Sequence, residues 1–280
     1  MEFTRTSLKL DGMNWGAWKP RWSVFCLLGL SLPVLAWAAD YDVVLRHGRV
    51  IDGTGNPAYF ADVAIRDGRI VMVGRVDGAA REVLDATGLV VAPGFIDAHT
   101  HAENLESNPR AENFARMGVT TVIAGNCGDS VLHVGPFLRR LEATNISVNA
   151  ATLIGHGTVC EHAMGGSLDR PPTRAELKRM KDLVEQGMRE GALGLSTGLI
   201  YRPGVYARTR EIIALAKVAA AYDGIYTSHM RDEGDEIDSA LRELFQVARK
   251  ARIRAQVSHL KLSGNANWGR AAEVLAMLDE

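Results

Sequence analysis

Two histidines with one residue between them, His99 and His101, are the first side chains in the sequence with a chemical pattern. The mostly apolar residues 90–97 predict a buried strand that ends where the histidines begin. On an extended strand residues i and i+2 point to the same side, so both imidazoles can face one point. Neutral imidazoles at this spacing suit zinc or another borderline metal ion. Taken alone, the pattern is weak evidence for a metal site and is more often two surface histidines at a strand end.

Single histidines end two further predicted strands. Residues 225–229 and 255–259 each finish on a Ser-His pair, at His229 and His259, before a polar loop. One such histidine is more often a structural residue of a core or loop than a ligand. Because the chain has only eight histidines, three strand ends of this kind favour a shared metal site.

The elements that must position these side chains are strands that alternate with helices. Predicted strands cover residues 94–99, 120–124, 147–154, 192–196, 225–229 and 254–259. Predicted helices cover residues 174–190, 210–221 and 236–251, and Thr173 with Glu176 forms a capping-box pattern before the first of them. Strands separated by helices predict a parallel sheet, either a βα barrel or a doubly wound sheet.

The positions of the polar residues favour the barrel. Cys127 follows the second predicted strand as the histidines follow the others, so four strands carry polar residues at their carboxyl ends. Barrels of this type assemble their active sites at that edge. No G-x-G-x-x-G pattern follows the first strand, so a dinucleotide-binding fold has no local support. Residues 42–92 differ, because short alternating strands around Asp67-Gly68 indicate a small β-module without obvious chemistry.

The first 38 residues have the pattern of a cleaved signal peptide. Lys19 and Arg21 precede the apolar run 22–35, and Ala36-Trp37-Ala38 supplies the small residues of a cleavage site before Ala39. A membrane anchor is the alternative, but 14 residues interrupted by a proline are short for a bilayer. The pattern therefore predicts export, to the periplasm or the medium.

Composition and charge exclude some partners. The net charge is −1 and no basic face is visible, so nothing indicates a nucleic-acid partner. No apolar run after residue 38 approaches a membrane span, so no membrane partner is expected after cleavage. The two thiols outside the signal, Cys127 and Cys160, would suit one disulfide in an oxidising compartment. The oligomeric state stays open.

The run Pro93-Gly94-Phe95-Ile96-Asp97-Ala98-His99-Thr100-His101, preceded by the β-module, resembles the entry to the barrel of the amidohydrolase superfamily. Most binuclear members carry a bridging lysine on the fourth strand, and residues 192–198 offer none. Cys127 after the second strand is similar instead to the D-aminoacylase (N-acyl-D-amino-acid deacylase) branch. The segments 155–158, 194–201, 228–233 and 258–261 also resemble that branch.

The resemblance implies a fold and a set of roles. The fold would be α/β, an incomplete metal-dependent (β/α)8 TIM barrel over residues 93–280 after a small N-terminal β-sandwich module at 42–92. If the roles known in the family are carried over residue by residue, Cys127, His229 and His259 would hold the tighter zinc ion. His99 and His101 would line a second, weaker position. Tyr201 and Lys261 would bind the carboxylate of the substrate. On the residues alone, Lys261 is equally a solvated surface lysine, and His156, although part of a similar segment, is not expected to be a ligand.

The activity implied by the resemblance is zinc-dependent hydrolysis of the amide bond of N-acyl-D-amino acids. The general base of the superfamily is an aspartate on the eighth strand, which would lie beyond Glu280. These 280 residues alone are therefore expected to be inactive and prone to aggregate through open sheet edges. Asp97 is expected to orient a ligand. A dihydroorotase-like or dipeptidase-like hydrolase and a non-catalytic remnant remain alternatives.

Overall fold

The computed structural model describes residues 39–279, and the predicted signal peptide at residues 1–38 lies outside them. The described chain divides into two compact units. The first contains residues 39–49 and 59–90, and the second contains residues 50–58 and 91–279. Within the described residues, no helix is both long and apolar enough to cross a bilayer.

The first unit is built on a single sheet. Its strands are β1 (Tyr41–Val50), β2 (Tyr59–Arg66), β3 (Arg69–Gly74), β4 (Ala80–Asp85) and β5 (Val90–Val91), in the order β3-β2-β1-β4 with β5 also paired to β1. Asp67 and Gly68 both have positive φ, 52° and 69°, which is the geometry of a tight turn between antiparallel strands and confirms the predicted hairpin.

The described residues of this module form one sheet, and the second sheet of the predicted β-sandwich stays a prediction. A sandwich needs two stacked sheets. The ten-residue strand β1 pairs with β4 along its first half and with β5 near its end, so every strand joins one five-stranded sheet.

The second unit alternates strands and helices. Its strands are β6 (Phe95–Asp97), β7 (Val119–Ala124), β8 (Asn149–Thr152), β9 (Ile154–Gly155), β10 (Gly194–Gly198), β11 (Ile225–His229) and β12 (Arg254–Val257). Its helices are α1 (Glu112–Ala115), α2 (Val134–Thr144), α3 (His156–Met164), α4 (Arg174–Arg189), α5 (Thr209–Ala220), α6 (Ile237–Ala251) and α7 (Ala271–Asp279).

The strands of this unit lie side by side in chain order. β6-β7-β8 and β9-β10-β11-β12 are parallel sheets, and only Leu153 separates β8 from β9. The Leu153 amide donates to Ala124 O at 3.0 Å, and Leu193 N donates to Thr152 O at 2.8 Å, so hydrogen bonds continue across the break. The six predicted strands are confirmed, with residues 147–154 split into two. Within the described residues the sequence of strands ends at β6 and β12 and does not close into a barrel.

Burial explains why this sheet forms. All five residues of β10 are buried because helices cover a parallel sheet on its outer face while neighbouring strands cover its edges. Ile154, Leu195 and Tyr226 are fully buried and belong to the same apolar cluster as Met180 of α4 and Leu241 of α6. The strand ends are therefore held at fixed positions by a dry core.

Helix α4 begins with the predicted capping box. The Thr173 hydroxyl accepts from Glu176 N at 3.2 Å, and Glu176 Oε2 accepts from Thr173 N at 2.7 Å. Arg170 adds two contacts of 2.8 Å to the same carboxylate. These hydrogen bonds hold the pKa of Glu176 well below its usual range.

Replacing Thr173 by alanine should destabilise the chain by about 1 kcal/mol, because the Glu176 amide loses its acceptor at the helix start. The midpoint of urea denaturation, followed by circular dichroism, measures the change. Thr173→Ser keeps the hydroxyl and should stay near the parent value; an equal loss in both variants would contradict the cap.

Candidate metal centre

The strand register places four donor side chains at one edge of the sheet. Gly198 of β10 is paired with His229 of β11, and Ser228 is paired with Val257 of β12, so His259 follows two residues later at the same edge. His99 follows β6 by two residues in the same way. Parallel strands present their carboxyl ends together, which is why residues far apart in sequence meet there.

The thiol of Cys127 lies at the centre of this group. Its Sγ is 3.5 Å from His99 Nε2, 3.6 Å from His229 Nδ1 and 3.9 Å from His259 Nε2. The His229 and His259 rings meet edge to face at 4.3 Å between centroids, and the His99 and His259 rings do so at 5.0 Å. Four of the five predicted ligands are thus brought together around one sulfur atom.

The fifth predicted ligand, His101, lies farther out. It is exposed, and its ring centroid is 5.6 Å from that of His99. His101 lines a cleft of about 430 Å³ next to the thiol, together with Asp129 and Tyr201. The structure places His101 beside the cluster rather than against Cys127.

A buried glutamate, Glu233, was missed as a site residue. Its carboxylate lies 2.7 Å from His259 Nδ1, 3.6 Å from His229 Nε2 and 2.6 Å from Lys261 Nζ. The residue is 7% exposed. A glutamate four residues after a candidate ligand was the available signal in the sequence, but only its burial distinguishes it from a surface carboxylate.

Two imidazoles of the cluster, those of His229 and His99, have lowered pKa values and are kept neutral. Burial lowers the pKa of His229 to about 4, with His259 and Lys261 acting in the same direction and Glu233 opposing them. Burial also lowers the pKa of His99, and the nearby His259 and His101 add to that shift. Neutral imidazoles have a free lone pair, which is the form that binds metal ions.

The thiol is held in its protonated form in the protein alone. Burial raises the pKa of Cys127 to about 11, and the negative charge of Glu233 adds to the effect. A bound cation would offset this cost, because metal coordination deprotonates a thiol. The site therefore has donors that gain from a positive ion.

The loop that carries Cys127 has an unusual backbone. Gly125, Cys127 and Gly128 have φ of 77°, 54° and 80°, in the left-handed region that a non-glycine residue such as cysteine rarely adopts. A side chain at Gly125 would place its Cβ 2.3 Å from Leu153 O. The glycines permit both the turn and the close approach to the neighbouring strand.

Hydrogen bonds from two neighbouring segments fix this loop. The Ser196 hydroxyl of β10 accepts from Gly128 N at 3.1 Å and donates to Gly125 O. The side chain of Asn126, which is fully buried, donates from Nδ2 to Ile123 O at 2.9 Å. The loop is thereby tied at both ends, which holds the Cys127 side chain toward the histidines.

His99 is positioned by its own segment. Its backbone N–H donates to Asp97 Oδ1 at 3.2 Å, in keeping with the orienting role expected for Asp97. The amide of Thr100 donates to Ile123 O at 3.0 Å, which attaches the segment to β7. His99 Nδ1 is buried without a hydrogen-bond partner, while its Nε2 faces the thiol.

The two predicted substrate residues lie around the same cluster. The Tyr201 ring is 4.5 Å from that of His229 and lines the cleft. The Lys261 ammonium is 2.7 Å from His259 Nδ1 and about half exposed, so it is a component of the cluster rather than a free surface lysine. Burial raises the pKa of Tyr201, which keeps its hydroxyl protonated.

The disulfide alternative is wrong, because both described cysteines are free and each contacts a different histidine. Cys160 packs against His156, away from Cys127. His156, which was not expected to be a ligand of the main site, belongs to a separate buried group with Glu211.

The strands of the second unit are parallel, are connected by helices, and carry imidazoles and a thiol at their carboxyl ends. This arrangement defines a βα-barrel type of fold with a candidate metal centre. A sequence profile described as the Amidohydrolase family matches residues 82–276. The chain belongs to the amidohydrolase family, which confirms the resemblance seen in the sequence.

Three relatives refine this placement. The chain is 39% identical to a D-aminoacylase and 37% identical to an N-acyl-D-glutamate deacylase, both from Alcaligenes xylosoxydans xylosoxydans, over 85% of its length and 54% of theirs. It superposes with a TM-score of 0.80, at 35% identity, on a crystal structure of N-acyl-D-glutamate deacylase from Bordetella bronchiseptica in complex with zinc and a phosphonate inhibitor, covering 85% of this chain and 55% of that one. The chain spans about half the length of the curated relatives it matches.

A side chain added at Gly198 tests the close contact between this residue and the loop that carries Cys127. An alanine Cβ there would lie 2.1 Å from Cys127 O, so Gly198→Ala should cost roughly 1–3 kcal/mol of stability. Urea denaturation measures this change. At Gly166 the nearest atom to an added Cβ is 4.0 Å away, so Gly166→Ala should cost much less. Equal effects at the two positions would contradict the close approach.

Proposed function

We propose that the protein containing this chain is a zinc-dependent deacylase that hydrolyses the amide bond of N-acyl-D-amino acids to a carboxylate and a D-amino acid. The observation that carries the proposal is the Cys127 thiol placed within 4 Å of nitrogens from His99, His229 and His259. The relatives named D-aminoacylase and N-acyl-D-glutamate deacylase support the substrate class.

The donor set fits zinc. Thiolate and imidazole are the ligand types that zinc takes in proteins, and tetrahedral sites bring such donors to separations of roughly 3.3–3.8 Å. The three Sγ–N distances, 3.5 to 3.9 Å, lie at about this separation. Cys127, His229 and His259 would hold the tighter ion, with His99 and the outer His101 at a second, weaker position. Bound zinc supplies Lewis-acid chemistry, polarising the amide carbonyl and activating water for attack.

The chain's own residues orient these donors. Glu233 contacts the Nδ1 edge of His259, so the ring presents Nε2 to the thiol. The same carboxylate anchors Lys261 beside the cluster. The Asp97 carboxylate accepts a hydrogen bond from the His99 backbone N–H. We therefore assign Asp97 to the positioning of His99 rather than to proton transfer. The aspartate expected to act as general base stays a prediction for residues beyond Glu280.

Substrate binding would use the charged and aromatic groups at the edge of the cleft. Lys261, half exposed and next to His259, would pair with the carboxylate of an acyl amino acid. Tyr201, about half exposed beside His229, would donate its hydroxyl to the same group. A free α-carboxylate next to the scissile amide distinguishes this substrate class from an uncharged amide.

The alternative within the family is a hydrolase of the dihydroorotase or dipeptidase type. Members with a bridging lysine would need it on the fourth strand. β10 reads Gly-Leu-Ser-Thr-Gly and contains no lysine, while the thiol of Cys127 occupies the centre of the cluster. This observation favours the deacylase.

The protein expressed from its complete gene should release D-amino acids from N-acetyl-D-amino acids and leave the L-enantiomers intact. Chelation should abolish the activity, and added zinc should restore it. Cys127→Ala should lose both bound zinc, measured by elemental analysis, and activity, because a thiolate ligand is gone. His162→Ala, an exposed histidine outside the site, is the matched control. Unchanged zinc content in Cys127→Ala would refute the site, and cleavage of L- but not D-substrates would refute the substrate class.

We also propose that the protein is exported, on the basis of the signal-peptide pattern of residues 1–38. When it is expressed in a bacterium with its own N-terminus, the product should be found in the periplasm or the medium. N-terminal sequencing should find Ala39 as the first residue. Replacing Ala36 and Ala38 by bulky residues should block cleavage, and a cytoplasmic product that keeps residues 1–38 would contradict export.

A further inference from the structure

A second group of metal-binding side chains lies in the core, apart from the candidate metal centre. His156 and Cys160 are one turn apart on α3, and Glu211 is in the first turn of α5. Their exposed fractions are 1%, 2% and 4%. Nothing in the proposed hydrolysis uses these three side chains, although glutamate is almost never fully buried without a partner.

The three groups are close enough to share an ion. His156 Nε2 is 2.8 Å from Glu211 Oε1 and 3.4 Å from Cys160 Sγ, and donor atoms of all three residues lie within 4.8 Å of one another. In a tetrahedral zinc site the N–O separation is about 3.3 Å and the N–S separation about 3.6 Å. The His156–Glu211 and His156–Cys160 distances would therefore change by about half an ångström or less.

The carboxylate of Glu211 is incompletely paired. His156 satisfies Oε1, but Oε2 is buried with no hydrogen-bond partner. A buried polar atom without a partner is unfavourable, and more so when it is charged. A cation at this place would remove that cost, and the adjacent thiol and imidazole select zinc among the common ions.

We propose that His156, Cys160 and Glu211 form a second, structural zinc site that links α3 to α5. On binding, the ion displaces the hydrogen between Nε2 and Oε1, which passes to Nδ1 of the same ring, and the Cys160 thiol gives its proton to solvent. His156 also lines the cleft, which gives an ion and the water ligand for the fourth position a way in. Sγ lies 3.9 Å from Nδ1 as well, so coordination requires a side-chain rotation that brings the sulfur into line with Nε2.

The charge state of the Cys160 thiol would distinguish the protein with the ion from the protein without it. Burial raises the pKa of Cys160 well above its usual range, and the carboxylate of Glu211 adds to the shift. The thiol of the protein alone is thus protonated. A thiolate at this position would be direct evidence of a bound cation.

The site would also support the loop that carries Cys127. Helix α3 begins directly after β9, and its first amides hold that loop, because Gly157 N donates to Gly128 O at 2.8 Å. Thr158 Oγ1 accepts from Ser130 N at 2.9 Å. An ion that fixes α3 against α5 therefore steadies the segment next to the main site.

Cobalt substitution tests the proposal, because a cobalt–thiolate bond gives a charge-transfer absorption in the near ultraviolet. The test uses the protein expressed from its complete gene, in which Cys26→Ser/Cys127→Ala leaves Cys160 as the one thiol of residues 1–280 and any further cysteine is replaced by serine. This variant, refilled with Co²⁺ after chelation, should show the band at about one equivalent per chain. Adding Cys160→Ala should remove it, and adding His162→Ala, on the same helix, should leave it unchanged.

Absence of the band in folded Cys26→Ser/Cys127→Ala would overturn the proposal and leave His156 and Glu211 as a metal-free pair. Glu211→Gln, which keeps size and shape, provides the second test if Cys160→Ala fails to fold: the band should weaken or disappear. A band of full strength in Glu211→Gln would also overturn the three-ligand site. Because the background lacks Cys127, these outcomes do not depend on the main site or on the proposed deacylase activity.

Discussion

The candidate metal centre depends on the parallel alignment of strand ends. Cys127 and His259 are 132 residues apart, yet the sulfur and the ring nitrogen lie 3.9 Å from each other. Pairing of β10 with β11 and of β11 with β12 sets this distance, because it places Gly198 opposite His229 and brings the chain to His259 just beyond. A slip of one residue in either pairing would turn these side chains to the opposite face of the sheet.

The position of the thiol adds a second constraint. Cysteine at φ 54° is strained relative to the common backbone regions, and the surrounding contacts keep it there. Ser196 bridges the two ends of the loop, and Gly198 lets the Cys127 carbonyl approach the strand. The glycines and the serine are therefore as necessary to the centre as the donor atoms, although they provide no ligand.

Helix α3 contacts the loop that carries Cys127 and itself carries two donors of the core group. The two groups of donors have different environments. In the candidate metal centre, Glu233 and Lys261 form a charged pair at the edge of a cleft, and burial lowers the pKa values of His99 and His229. In the core group, the carboxylate of Glu211 has one unpaired oxygen and no lysine or arginine contact among the described interactions. The first arrangement leaves open space for a small molecule, while the second lies in the core and meets the cleft only at His156, which suits a structural ion.

The sequence by itself determined the strand–helix alternation, the hairpin at Asp67-Gly68, the cap at Thr173 and the identity of the donor types. These features are local: turn residues, caps and strand-end histidines express their preference within a few positions. Only the tertiary structure decided that His101 lies outside the contact shell of Cys127, that the β-module is one sheet, and that Glu233 and Glu211 are buried. Burial, strand register and close backbone contacts depend on residues that are far apart in the chain, from the 28 positions between Gly125 and Leu153 to the 132 between Cys127 and His259, so no local pattern specifies them.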